Sequence, residues 1–358
     1  MKALILAGGS GTRLRPLTHT TAKQLIPVAN KPVLFYALED IGAAGIKDVG
    51  IIVGHTKKEI MEAVGDGSRW GFQATYIEQD APRGLAHAVL SAEKFLDNDD
   101  FVMYLGDNIL RSGIAGLIES FKKSKSDATI ALSRVRDPQR FGVAEIKDGK
   151  VVGLEEKPKK PKSDLALIGI YIFNRSIFDA AKKIKPSWRN ELEITDAISV
   201  LIDSGKKIDS HIVDGWWKDT GKPEDLLEAN MLVLDELSPI VEGKIGPKVK
   251  VSGAVSVGKN TVVDGESFLQ GPLVIGADCT IRDAKIGKYT SIGDFTTIVG
   301  ASIADSVLVG HSKISCGANI AGSLIGKNVT ITEGKSGGAH RLILGENSQV
   351  SLYSKTRK

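Results

Sequence analysis

The apolar positions in the first half of the chain fall into short runs that alternate with stretches of helical period. Met1–Ala7 (MKALILA), Asp48–Val53, Ala74–Gln79 and Phe101–Leu105 are compact groups of aliphatic and aromatic residues, the form of buried strands. Between them, Pro32–Ala44 has proline at a helix start and Gly45 as its stop, and Thr56–Val64 and Gly84–Leu96 follow helical spacing. Strands separated by helices of about a dozen residues predict a parallel sheet with helices on both faces. From Asp127 the alternation loosens. Ala128–Arg134, Val143–Lys147, Val151–Glu155, Ala166–Phe173, Lys207–Val213 and Trp216–Asp219 read as strands, with Asp148-Gly149 as a hairpin turn. Leu192–Ile202 and Lys222–Glu236 read as helices, the second with Pro223 in its first turn.

Beyond Glu242 the pattern changes again. Glycine becomes frequent, helix-forming stretches vanish, and aliphatics recur at six-residue spacing: Val251, Val257, Val263; Ile275, Ile281, Ile286, Ile292, Ile298; Ile303, Leu308, Ile314, Ile320, Ile325, Ile331. Such a repeat predicts a parallel β-helix in which each aliphatic fills the core from one prism face. Short hairpins in a sandwich are the alternative, and the persistence of the period favours the coil. Arg341–Leu352 forms one or two strands that cap the stack or pair with a neighbouring subunit, followed by a frayed basic tail. The expected domains are 1–238 and 243–358.

Composition narrows the class. The chain has 358 residues, enough for two domains with their own cores, and its 42% hydrophobic and 25% charged residues are ordinary for a soluble protein. A net charge of +4 without a long basic run argues against nucleic acid as a partner. The two cysteines, Cys279 and Cys316, give no disulfide framework or metal cluster. The N-terminus enters a strand directly and no apolar run reaches the ~20 residues of a membrane span, so a soluble cytoplasmic protein without a signal peptide is expected.

Candidate chemistry lies at the strand ends. Gly8-Gly9-Ser10-Gly11-Thr12-Arg13 follows the first strand, and a glycine turn with bare N–H groups beside a guanidinium suits a polyphosphate. It is neither a Walker loop nor a dinucleotide fingerprint, and by itself it is equally an ordinary strand-to-helix turn. In a parallel sheet, ligands sit beyond the carboxyl ends of the strands, which is where Gly8–Arg15, Gln79–Gly84 and Gly106–Asn108 fall. Four cations (Arg13, Lys23, Lys157, Arg189) and two carboxylates (Asp107, Asp219) describe phosphoryl transfer: the cations neutralise phosphate oxygens and the aspartates hold magnesium. Taken singly, each residue is as readily a solvated surface group or part of an ion pair.

Gly8–Thr18 (GGSGTRLRPLT), Ala22–Pro32 (AKQLIPVANKP), Leu105–Asn108 (LGDN), Glu155–Pro158 (EEKP), Glu191–Asp196 (ELEITD) and Lys218–Gly221 (KDTG) resemble, in order, the motifs of the sugar-1-phosphate nucleotidylyltransferases. The likeness is nearest to the thymidylyl branch, whose long members carry a C-terminal left-handed β-helix. It implies a Rossmann-like mixed-sheet nucleotidyltransferase domain followed by a left-handed parallel β-helix, and magnesium-dependent transfer from dTTP, or UTP, to glucose 1-phosphate. It further implies residue roles. Arg13 clamps the triphosphate and the leaving pyrophosphate. Lys23 neutralises the α-phosphate, and Asp107 and Asp219 hold Mg2+. Lys157 and Arg189 bind the sugar phosphate. Leu6, Gly8, Gly9, Gly11, Thr12, Gln24, Gln79, Pro82, Gly84 and Asp107 surround the nucleotide. Gly142, Glu156, Gly169 and Tyr171 line the sugar pocket. Arg15 has no assigned role.

The Lys23-Gln24 pair separates the thymidylyl and uridylyl branches from guanylyltransferases, which usually read Lys-Pro there. dTTP and UTP differ by a methyl and a 2′-hydroxyl, so dual use and a uridylyltransferase both remain open. Many hexapeptide β-helices are acyltransferases, which makes His311 and His340 candidate bases for an added amino-sugar-phosphate acetyl transfer. A non-catalytic nucleotide-sugar sensor is a third reading, disfavoured because all the transfer residues are present. Homo-oligomerisation through the β-helix is its expected role.

Overall fold

The strand Lys2–Leu6 is the hub of the first part of the molecule. In this computed structural model, which describes residues 1–334 and 339–353, it pairs in parallel with Asp48–Val53 on one side and Phe101–Leu105 on the other. Asp48–Val53 continues in parallel to Gln73–Glu78. Ala3, Leu4 and Ile5 have no exposure, as expected of a strand covered on both faces.

The chain divides into two units, one of Met1–Ser10 and Leu34–Asp219, the other of Gly11–Val33 and Thr220–Lys358. In the first, the sheet has nine strands and is mixed rather than wholly parallel. Leu165–Phe173, buried along its whole length, runs antiparallel to both Phe101–Leu105 and Ala128–Arg134. Ala128–Arg134 pairs in parallel with Ile208–Ile212. The start of Leu165–Phe173 meets Gly142–Lys147, which turns back through Asp148 and Gly149 onto Lys150–Glu156. Both turn residues are left-handed (φ 50° and 73°), as a two-residue type I′ hairpin needs. The ladder between Leu165–Phe173 and Ala128–Arg134 slips between Leu167 and Tyr171, at the left-handed Gly169 (φ 77°). This bulge bends the longest strand of the sheet where the branches part.

Several elements differ from the sequence expectation. The helix read over Gly84–Leu96 is two helices, Leu85–Ser91 and Glu93–Leu96, broken at Ala92. Three further elements appear: the strand Asn108–Leu110 and the helices Ala115–Ser124 and Ser176–Ala181. Asn108–Leu110 is antiparallel to Trp217–Asp219, outside the main sheet.

In the second unit, Pro27–Val28 and Lys31–Pro32 form a small hairpin whose tip residues, Ala29 and Asn30, are both left-handed. The helix Pro223–Asp235 precedes a three-sided parallel β-helix, with sheets of seven, six and six strands among the described residues. Val263, Ile281, Ile298, Ile314 and Ile331 stack in one internal column and Leu269, Ile286, Ile303 and Ile320 in another, all buried. Val251, expected in the core, is 47% exposed. It begins the column of Leu269, so no earlier coil covers it. Among the described residues no helix is long and apolar enough to cross a membrane.

Candidate active site

Hydrogen bonds between neighbouring strand ends assemble the glycine edge of the first unit. Ala7 N–H donates to Ile52 O at 2.9 Å, Gly106 N–H to Leu6 O at 3.0 Å, and Gln79 N–H to Val53 O at 2.9 Å. A Cβ on Gly8 would lie 3.5 Å from Gly54 N and 3.6 Å from Gln79 Oε1, so Gln79 faces the glycine turn. The Gln79 amide donates to Gly84 O at 3.3 Å and lies 3.0 Å from His87 Nδ1. Gly84 is itself fixed: φ is 101°, and a Cβ would meet Leu192 O at 2.5 Å. Leu6, Gly8, Gly9, Gln79, Pro82 and Gly84 thus belong to adjoining strand ends and the loops that leave them.

A second group forms where Gly142 and Glu156 stand opposite each other in the ladder. Glu156 Oε1 lies 3.4 Å from Lys157 Nζ and 3.3 Å from Arg189 Nη1. Arg189 also bonds Glu191 at 3.0 Å and Glu193 at 3.4 Å, so one guanidinium serves three carboxylates. Ser187 Oγ donates to Glu193 Oε1 at 2.8 Å and accepts from Arg189 N–H, which fixes the loop carrying the arginine. Burial raises the Glu156 carboxyl above its ordinary range. Glu193 adds to the rise, and Lys157 and Arg189 oppose it. Lys157 holds a left-handed backbone (φ 44°) that a β-carbon disfavours, and its N–H is tied to Phe141 O at 3.0 Å. Such strain at a strand end is a familiar mark of a functional position. Tyr171 is buried, and both burial and the Glu156 charge push its hydroxyl up.

Thr195 packs against this group, and the residue pattern alone gives it no role there. Its Oγ1 is buried without a hydrogen-bond partner, and its methyl lies 2.9 Å from where a Gly142 Cβ would be. Glu191, Glu193 and Thr195 all come from the ELEITD motif. Across the bulge, a Cβ on Gly169 would meet Leu105 Cδ1 at 2.6 Å and Asn108 Nδ2 at 3.1 Å. Asn108 accepts from Trp217 Nε1 at 2.7 Å and donates to Asp107 Oδ1 at 3.1 Å. The strand pair sets Asp219 opposite Asn108, one residue from Asp107. Among the described residues no group of three or more His, Cys, Asp or Glu is placed to hold a metal ion. Aspartates at adjoining backbone positions are the donor type that suits a hard ion with phosphate and water as its other ligands.

The other expected residues lie in the second unit. Gly11 is left-handed (φ 61°), and a Cβ there would meet Lys23 Cβ at 2.8 Å and Thr18 Cγ2 at 2.9 Å. The glycine turn and Lys23 are therefore packed together. Thr12 and the exposed Arg13 form the short turn that follows, and Gln24 is buried with no partner for its Oε1. His311 is exposed and stacks on Phe295 at 4.7 Å between ring centroids. The side chain of His340 lies outside the described residues.

The sequence model of the nucleotidyl transferase family matches residues 2–236. The chain belongs to that family. This nucleotidyl transferase is 53% identical, over 99% of its length and the whole of the relative, to a glucose-1-phosphate thymidylyltransferase of Streptomyces antibioticus. It is 48% identical, over 98% of its length and the whole of the relative, to a low-salt glycan biosynthesis nucleotidyltransferase of Haloferax volcanii. A crystal structure of a UDP-glucose pyrophosphorylase complexed with UDP-glucose matches 66% of this nucleotidyl transferase and 99% of that chain, with a TM-score of 0.60 and 27% identity.

Proposed function

We propose that this nucleotidyl transferase moves the thymidylyl group of dTTP onto glucose 1-phosphate, giving dTDP-glucose and pyrophosphate, for the synthesis of nucleotide sugars of the dTDP-rhamnose type. The observation that carries the reading is the full-length 53% identity to the Streptomyces antibioticus thymidylyltransferase. The Glu156–Lys157–Arg189 cluster beside Gly142 supports it: two cations suit a sugar phosphate, and a carboxylate suits sugar hydroxyls. The unpartnered Thr195 Oγ1 offers a further bond to a hydroxyl.

In this reading the sugar phosphate is the nucleophile. It is already anionic at neutral pH, so no general base is required, and Lys157 and Arg189 hold it for in-line attack on the α-phosphorus. Glu156, Thr195, Tyr171, Gly142 and Gly169 shape the sugar pocket. Gln79 and Gln24 present amide edges to the pyrimidine, among Leu6, Gly8, Gly9, Pro82 and Gly84. Gly11, Thr12 and Arg13 take the triphosphate tail and the departing pyrophosphate, and Lys23 meets the charge that grows on the α-phosphate. Asp107 and Asp219 would hold magnesium, whose chemistry there is to screen phosphate charge. We read residues 1–238 as the catalytic domain and 243–358 as a β-helix domain that mediates homo-oligomerisation, in a cytoplasmic enzyme.

The test is a substrate panel. Magnesium, dTTP and glucose 1-phosphate should release pyrophosphate in step with dTDP-glucose, with UTP a weaker donor. No release from any pairing of dTTP or UTP with glucose, galactose or glucosamine 1-phosphate would overturn the reading.

A further inference from the structure

Much of one outer face of the β-helix is buried, although Val274 and Ile343 on it keep partial exposure. Val257, Ile292, Leu308 and Ile325 of one of the three sheets point into the core. The alternation of a strand puts their neighbours Ser256, Ser291, Val307 and Leu324 on the outside, yet these are at most 9% exposed. On another of the sheets the outward Val262, Thr280, Arg282 and Lys313 are exposed instead.

The hydrogen bonds identify the cover, all of it within the second unit. Asn230, on the helix Pro223–Asp235, has no exposure. Its Oδ1 accepts from Ser291 Oγ at 2.6 Å and from Ala29 N–H at 2.9 Å, while its Nδ2 donates to Tyr289 O at 2.9 Å. At the same hairpin tip, Asn30 Nδ2 donates to Ile292 O at 2.7 Å. Higher on the stack, a Cβ on Gly345 would meet Pro16 at 3.3 Å. The segment Gly11–Val33, which carries Arg13, Lys23 and Gln24, is therefore seated on the β-helix at two heights. The hairpin tip lies only five residues beyond Gln24 in sequence, and Val33 N–H closes back on Ile26 O at 3.2 Å.

We propose that the β-helix takes part in nucleotide transfer as the floor of the triphosphate-binding segment, with Asn230 as the positioning residue that ties the hairpin tip to it. This rests on the reading of Arg13 and Lys23 as triphosphate ligands. A buried asparagine amide that satisfies a loop N–H, a serine hydroxyl and a carbonyl together fixes three elements, and removing it leaves those groups buried and unpaired. The loss should fall on the nucleotide, because the cations assigned to the sugar phosphate are in the other unit.

The test uses the full chain and two variants. Asn230→Ala should raise the KM for dTTP about tenfold, leave that for glucose 1-phosphate unchanged, and speed amide hydrogen exchange across residues 11–26. Asn30→Gly keeps the left-handed turn, removes only the bond to Ile292 O, and should move the same quantities by about threefold. It also guards against a failure of Asn230→Ala to fold. Unchanged exchange over 11–26 in both variants, or equal rises in both KM values, would overturn the proposal. If the wild-type protein transferred no nucleotide at all, the proposed function would fall, while the exchange data would still decide whether the β-helix holds this segment.

Discussion

Replacing Gly142 by alanine probes the sugar pocket with one added carbon. The new Cβ would lie 2.9 Å from Thr195 Cγ2, 3.1 Å from Glu156 Oε2 and 3.5 Å from Leu167 Cδ1. Gly142 is not among the residues with positive φ, so the backbone accepts alanine and the effect comes from what the new Cβ meets. To make room, the Glu156 carboxylate must shift by a few tenths of an ångström, away from where it would meet sugar hydroxyls. A hydrogen bond to a charged group contributes about 1.5–3 kcal/mol, and about 1.4 kcal/mol is a tenfold change in affinity. The KM for glucose 1-phosphate should therefore rise roughly ten- to a hundredfold with the KM for dTTP unchanged. Crowding of the buried Thr195 methyl should lower stability by about 1–3 kcal/mol, and with it the thermal midpoint. Steady-state kinetics with each substrate varied in turn, beside a thermal melt, gives all three values. A normal KM for glucose 1-phosphate, or equal rises for both substrates, would refute the placement of the sugar beside Gly142 and Glu156.

Other perturbations bear on the same groups. Arg189→Ala leaves Glu156, Glu191 and Glu193 facing one another, with Glu193 only 5% exposed, and should cost about 2–4 kcal/mol in urea unfolding; a loss under about 0.5 kcal/mol would show that the arginine does not hold the loop. Gly169→Ala combines a φ of 77° with a Cβ 2.6 Å from Leu105 Cδ1, and should destabilise by about 2–4 kcal/mol; an unchanged denaturation midpoint would mean that the bulge relaxes freely. Glu156 supplies a pH test. Burial raises its folded pKa above the usual 4.5, so its contribution favours folding at low pH and is lost as pH rises through the folded value. Glu156→Gln should then match or exceed the wild type in thermal midpoint at neutral pH, with that advantage disappearing in acid, and a markedly less stable variant at neutral pH would contradict the assignment.

Much of this architecture is legible in the residue pattern. Asp48–Val53, Phe101–Leu105 and Ala128–Arg134 are strands with the expected bounds, because each is a short apolar run closed by polar or glycine residues. Asp148-Gly149 turns the hairpin, since both residues tolerate left-handed backbone. The hexapeptide columns follow from a period long enough to outlast its irregularities. Other features depend on tertiary context. Asn108–Leu110 is too short for a pattern and exists through its pairing with Trp217–Asp219. Ala166–Phe173 reads as one unbroken run, so the bulge at Gly169 is visible only once two partner strands compete for it. Arg189 is expected at the sugar phosphate, and its three carboxylate partners, from Glu156 and from its own loop, form a convergence that spacing does not reveal. The cover over Ser291 and Ile292 likewise depends on tertiary context, since it is made by Asn230 and Asn30 from elsewhere in the chain.

The most direct test follows the oxygen that makes the new bond. Glucose 1-phosphate labelled with heavy oxygen on its phosphate, reacted with dTTP and magnesium, should give dTDP-glucose with label in the bridge between the two phosphorus atoms, and unlabelled pyrophosphate. Label in the pyrophosphate, or pyrophosphate released without a labelled bridge, would contradict attack by the sugar phosphate on the α-phosphorus.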